Sequence, residues 1–151
     1  MLFRSLWQSA DGGQAWQPLS GQLPGDVLGL AAAGGEPEVL YAASMSRGVL
    51  RSADGGRSWA ETVNGLGGRR ALAVAVDAAA RQTVYAGVDA GLYKSTDGGD
   101  NWRQLPFPAD NAVALAPSAA SANRLLAIAV KDGQGPVYRS EDGAETWGRR
   151  P

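Results

Sequence analysis

With 15 acidic residues and neither histidine nor cysteine, the carboxylates are the groups of this 151-residue chain best able to do chemistry. A carboxylate can serve as general acid, as nucleophile, or as ligand for a hard cation such as calcium. Four aspartates, Asp11, Asp54, Asp97 and Asp142, sit in near-identical octapeptides. These run Ser9-Ala-Asp-Gly-Gly-Gln-Ala-Trp16, Ser52-Ala-Asp-Gly-Gly-Arg-Ser-Trp59, Ser95-Thr-Asp-Gly-Gly-Asp-Asn-Trp102 and Ser140-Glu-Asp-Gly-Ala-Glu-Thr-Trp147. A reaction centre needs one constellation of unlike groups, so four equivalent copies argue for a turn that staples the fold. The residue types suit that task. Gly13, Gly56 and Gly99 accept the positive φ of a tight hairpin. The Ser hydroxyl and Asp carboxylate can take up backbone N–H groups inside it, and the Trp offers a large ring to bury where the next strand begins.

What is missing narrows the chemistry further. Without cysteine or histidine there is no disulfide scaffold, Cys/His zinc site, Cys–His pair or Ser–His–Asp triad. The net charge of −1 gives no electrostatic reason to expect nucleic acid or an anionic membrane as partner. No run of 18 apolar residues appears, and the N-terminus lacks the apolar stretch of a signal peptide. The compartment is left open, and a longer parent that is exported or periplasmic is compatible with the chain.

The elements that must position these turns follow from the repeat. The four aspartates are spaced by 43, 43 and 45 residues, the length of one four-stranded propeller blade, about 40–50 residues. Between the turns the sequence reads as short strands punctuated by Gly, Pro and Asp. One unit comprises Val27 to Ala33, Val39 to Ser44, Val49 to Ser52 and Trp59 to Val63. The next comprises Leu72 to Val76, Thr83 to Gly87, Gly91 to Ser95 and Trp102 to Leu105. The last comprises Val113 to Ala116, Leu125 to Val130, Val137 to Ser140 and Trp147 to Arg150. The alanine-rich stretch Ala71 to Ala80 competes as a helix by propensity, but register with its sister repeats favours a strand. Leu6 to Leu19 holds the last two strands of a blade, and the preceding Leu2-Phe3-Arg4-Ser5 has no counterpart in the repeat.

The octapeptide resembles the Asp-box, or BNR repeat, of pattern S-x-D-x-G-x-T-W, over essentially the whole chain. The resemblance implies an all-β fold, a partial β-propeller of about three and a half four-stranded antiparallel blades, each with an Asp-box hairpin. The units are 6–19 (a half blade), 27–63, 71–106 and 112–150, forming one propeller segment of a larger parent whose missing blades are implied partners. Joining two copies would bring two half blades lacking inner strands, which disfavours neat ring closure by a dimer. In the family the boxes lie at the outer edge, so Ser9, Asp11, Trp16, Ser52, Asp54, Trp59, Ser95, Asp97, Trp102, Ser140, Asp142 and Trp147 are expected to be structural. Two departures stand out. Ala144 replaces a Gly, which suggests a slightly different turn, and the Thr position is held by Ala15, Ser58, Asn101 and Thr146.

Function in a propeller usually sits on the face carrying the 4-to-1 and 2-to-3 connections. Here those are Ser20 to Asp26, Asn64 to Arg70, Pro106 to Asn111, Met45 to Gly48, Asp89 to Ala90 and Lys131 to Pro136. They place Arg47, Arg69, Arg70, Asp89, Asp110, Lys131 and Asp132 on a possible ligand face, together with Asp26. Adjacent Arg69 and Arg70 beside Gly67 and Gly68 are suited to an anionic ligand or partner. The resemblance spans sialidases, xyloglucan-cleaving glycosidases, photosystem II assembly factors and sortilin-type receptors. The sialidase set does not map, because Tyr41, Tyr85, Tyr93 and Tyr138 fall inside strands. No residue is assigned a catalytic, cofactor or metal role. The expectation is a non-catalytic binding or scaffold module for a protein, peptide or polysaccharide, with no nucleic acid or membrane. The alternative is part of a glycoside hydrolase whose catalytic set is incomplete here.

Overall fold

The computed structural model describes residues 4–67, 70–121, 123–130 and 132–151, with the backbone alone described for Arg4, Ser5, Ser20 and Gly21. Its β-branched and aromatic runs form strands in all three full repeats, and no helix occurs among the described residues. The first sheet pairs β1 (Arg4–Gln8) with β2 (Gln17–Leu23). The second contains β3 (Val27–Gly34), β4 (Val39–Ser44), β5 (Gly48–Ser52) and β6 (Ala60–Glu61) in that order. The third contains β7 (Ala71–Val76), β8 (Val84–Val88), β9 (Gly91–Ser95) and β10 (Arg103–Gln104). The fourth contains β11 (Ala114–Pro117), β12 (Leu125–Ile128), β13 (Val137–Ser140) and β14 (Gly148–Arg150). All pairings within these sheets are antiparallel, and consecutive strands are neighbours. This up-and-down order, with β3, β7 and β11 packed side by side, makes the chain a partial β-propeller. No helix among the described residues is long and apolar enough to cross a membrane.

Small residues let the sheets stack closely. Ala43 and Val49 of the second sheet share a core with Ala71, Val74, Val84, Ala86 and Val88 of the third. Tyr85, Leu92 and Leu105 of the third share another with Leu125 and Ala144 of the fourth. Gly87 shows why no Cβ is tolerated at one such approach, since it would stand 1.9 Å from the Ala112 carbonyl oxygen. The alanine-rich stretch 71–76 is a strand, paired with β8 from Ala71↔Val88 to Val76↔Val84; tertiary pairing overrides helical propensity there.

Three expectations need correction. Arg4 and Ser5 do find a place, pairing with Leu23 and Gln22 across an irregularity between Ser5 and Leu6. The extra ladder carries β2 to Leu23, so most of the loop expected over Ser20 to Asp26 is strand. The outermost strands β6 and β10 are only two residues long, and neither Trp59 nor Trp102, which precede them, enters the ladder.

Candidate functional site

The Ser-x-Asp turns of the three full repeats join the third strand of the sheet to the fourth, the first turn joins β1 to β2, and the bonds follow directly from the octapeptide. The Ser hydroxyl donates to the Asp carboxylate at 2.7–2.8 Å in all four copies. The same Ser Oγ accepts the N–H of the residue two beyond the Asp, that of Gly13, Gly56, Gly99 or Ala144. Asp Oδ1 accepts the N–H of Ala15, Ser58, Asn101 or Thr146, at 2.9 Å in each case. Its second oxygen takes a side-chain donor, Ser58 Oγ at 2.5 Å, Asn101 Nδ2 at 2.9 Å or Thr146 Oγ1 at 2.5 Å. Three chemically different side chains thus do one job at the pattern's Thr position, and only Ala15 supplies no donor. The sequence signal was present, since Ser and Asn both carry a short-reach N–H or O–H.

Hydrogen bonds to the ionised form hold these carboxylates below the ordinary value of 3.8. The Asn101 side chain is the largest influence on Asp97, and the Thr146 hydroxyl on Asp142; both are brought to about 2. Asp54 is pushed lower still, first by the Ser58 hydroxyl. Asp11 is lowered chiefly by the Ala15 N–H. A carboxylate held ionised by several donors is a turn anchor and a poor proton donor, and in Asp54, Asp97 and Asp142 both oxygens are occupied.

The Ala144 turn keeps the bond set of the others at a slightly smaller φ. Ala144 adopts a φ of 75°, where Gly13, Gly56 and Gly99 adopt 91°, 91° and 94°. The Ser140–Asp142 bond set overrides a left-handed penalty of about 1–2 kcal/mol for a residue with a Cβ. The tryptophans do differ. Trp102 is 6% exposed and donates across the sheet boundary to the Thr62 carbonyl at 2.9 Å. Trp16 and Trp59 donate back to Gly13 and Gly56 of their own turns. Trp16 is 58% exposed, which corrects the expectation of a buried ring at every copy. Trp147 packs edge-on against Phe107, with ring centroids 5.0 Å apart.

The turns also fasten neighbouring sheets. The Gly98 carbonyl accepts from Tyr41 Oη at 2.9 Å and Arg51 Nη1 at 2.7 Å, and Arg51 also pairs with Asp100. One repeat later, Lys94 Nζ donates to the Gly143 carbonyl at 3.2 Å, and Arg103 pairs with Glu145. Thr62 Oγ1 bonds the Gly99 carbonyl. These bonds cross between repeats, so no single octapeptide shows them.

The loops at the other end of the strands carry the expected ligand-face residues, with unequal freedom. Asp26 accepts the Ser44 hydroxyl at 2.7 Å. Burial alone would raise its pKa, but the Ser46 and Ser44 hydroxyls outweigh that and leave it lowered. Arg47 is paired with Glu61 through Nε at 2.8 Å. Arg70 and Asp89 are exposed and brought together by the backbone, the Asp89 N–H donating to the Arg70 carbonyl at 3.1 Å. Asp110 is exposed at a hollow of about 170 Å³ that it lines with Phe107, Pro108, Ala109 and Val130. Asp132, with a φ of 51°, lines a separate hollow of about 280 Å³ with Gln134, Pro136, Tyr138 and Arg149. Arg69 and Lys131 lie outside the described residues. The loops are tied together across sheets: Asn111 bridges to Gly91, and its Oδ1 accepts the Val130 N–H at 3.0 Å. Among the described residues no cluster of three or more acidic groups is placed to hold a metal.

No family model matches the chain, and no curated protein matches it. Solved structures do. An ancestral GH74 enzyme is 26% identical over 97% of this chain, with a TM-score of 0.71. The GH74 xyloglucanase from Xanthomonas campestris is 24% identical over 80% of the chain, with a TM-score of 0.60. YCF48 bound to D1 peptide is 15% identical over 97%, with a TM-score of 0.66. The chain spans 19%, 18% and 42% of those three chains.

Proposed function

We propose that the chain is a non-catalytic binding module of Asp-box propeller type, part of a larger propeller, which presents its loop face to a protein or peptide segment. The observation that carries this reading is the division of labour among carboxylates. The turn aspartates and Asp26 are held ionised by hydrogen bonds, whereas a glycosidase acid is kept protonated by a raised pKa. The exposed Arg70–Asp89 pair, with Asp110 and Asp132 on neighbouring loops, offers mixed charge suited to a polar peptide. The likeness to YCF48 bound to D1 peptide supports a peptide on a fold of this kind. The test is fluorescence anisotropy of the chain against short charged peptides and xyloglucan oligosaccharides. Peptide binding that weakens on Arg70→Glu and with added salt is expected; saturable binding of xyloglucan alone would overturn the reading.

A second reading is favoured by the 26% identity to the ancestral GH74 enzyme. In it, the chain is a segment of a glycoside hydrolase, and Asp89 or Asp110 supplies one carboxylate of a pair completed elsewhere in the parent. Hydrolysis of a xyloglucan or sialoside panel by the parent, lost on Asp89→Asn or Asp110→Asn, would establish it.

A further inference from the structure

Arg70 and Asp89 stand where the first two strands of the third sheet end. Ala71 pairs with Val88 in the ladder, and the Asp89 N–H donates to the Arg70 carbonyl at 3.1 Å, so these two are the next opposed residues in register. Ala71 and Val88 are fully buried, whereas Arg70 and Asp89 are exposed. Directly opposed side chains start about 4.5–5.5 Å apart. Yet among the described residues neither Arg70 nor Asp89 is closed into an ion pair.

The second sheet shows the same place with its charges spent. There the opposed residues are Asp26 and Met45, joined by the Met45 N–H to the Asp26 carbonyl at 3.3 Å, and the Asp26 carboxylate is taken by Ser44. The hairpin loop is braced from the fourth strand by Glu61, which holds Arg47. Gln104 is the counterpart of Glu61, since it pairs with Tyr93 as Glu61 pairs with Leu50. It braces its loop by a different bond, Nε2 donating to the Ala90 carbonyl at 2.9 Å. That bond uses backbone and leaves the Asp89 carboxylate for a ligand. From the other side the Gly91–Asn111 bridge closes the hairpin. The loop Asp89-Ala90 is therefore fixed by Arg70, Gln104 and Asn111 together, and a short side chain on a fixed backbone loses little freedom on binding.

Resting on the peptide-binding reading above, we infer that Gln104 is a positioning residue that fixes Asp89 opposite Arg70, and that the pair takes an extended segment with a basic and an acidic residue at alternate positions. Alternate side chains of an extended segment share one face about 6.6 Å apart, a span that two opposed charges not closed on each other can straddle. Asp89 accepts the basic group and Arg70 grips the acidic one. Fluorescence anisotropy tests this with a labelled Gly/Ser peptide carrying one Lys and one Glu two residues apart, and with its Lys→Ala and Glu→Ala forms. The wild-type chain is expected to lose about fivefold in affinity on the peptide's Lys→Ala change, the upper range for an exposed ion pair. Asp89→Asn and Gln104→Met should each erase that dependence on Lys, while dependence on Glu and the melting temperature stay as in the wild type. A merely structural Gln104 would instead weaken all three peptides alike, and that result would overturn the inference. So would a wild-type chain indifferent to the Lys, a measurement that needs no variant to fold. Binding that depends on Arg70 but on neither Asp89 nor Gln104 sinks this inference alone, whereas a wild-type chain that binds no peptide sinks the function reading with it.

Discussion

The two ends of the strands are built on opposite principles. At one end, four turns repeat a single bond set in which the Asp carboxylate is occupied and the Ser hydroxyl both donates and accepts. At the other end, no two loops are alike, and Arg70, Asp89, Asp110 and Asp132 end in solvent. Repetition with internal satisfaction is what a fold needs from its staples. Unlike loops with free charges are what recognition needs from a surface. The turn side is architecture and the loop side carries the proposed binding face, although the strands between serve both.

The largest effect should come from those shared strands. Leu92, fully buried between the third and fourth sheets, is expected to cost about 2–5 kcal/mol when cut to Ala, read from the urea midpoint, and to weaken both ends alike. Ser95→Ala comes next. It removes the buried hydroxyl that serves both Asp97 and the Gly99 N–H, for an expected loss of about 1–3 kcal/mol. Ser9→Ala makes the same chemical change in the exposed first turn and should cost distinctly less. Equal losses at the two serines would break the claim that docking against a neighbour strengthens the turn.

A smaller, pH-dependent effect follows from the turn carboxylates. Their folded values lie below 3.8, with Asp97 and Asp142 at about 2. The stability they contribute is therefore complete above about pH 4 and lost as pH falls toward 2. Asn101→Ala and Thr146→Ala should narrow that loss, since each removes the strongest influence holding its aspartate ionised. Thermal melts across pH 2–5 check it. The smallest effect belongs to the loop side. Arg70→Glu and Asp89→Ala should change stability by no more than about 0.5 kcal/mol while altering binding, and a large destabilisation at either would mean that the loop face is also structural.

Much of this architecture was legible in the residues, because the repeat fixes its own phase. The spacing of Asp11, Asp54, Asp97 and Asp142 located each hairpin, and the runs between them became strands. What could not be read locally is whatever depends on a neighbour. Trp16 and Trp102 occupy the same slot in the octapeptide, yet one is exposed and the other buried, Trp102 meeting the preceding outer strand end and donating to the Thr62 carbonyl. The bonds that Arg51 and Lys94 make to the following turn cross between repeats and so lie outside any local reading. The loop side was less legible still. Ser20 to Leu23 reads as a loop by composition but is drawn into β2 by Arg4 and Ser5. Arg47 reads as free and is held by Glu61. Of the proposed ligand face, Arg70 and Asp89 are brought together, whereas Asp110 and Asp132 border separate hollows.

The most direct test of a recognition surface on the loop side is a titration of charged peptides against three forms of the chain: wild type, Arg70→Glu and Ser9→Ala. The account predicts saturable binding that falls at least tenfold in Arg70→Glu and is unchanged in Ser9→Ala. Binding that is lost in Ser9→Ala but kept in Arg70→Glu would place recognition on the turns and contradict it.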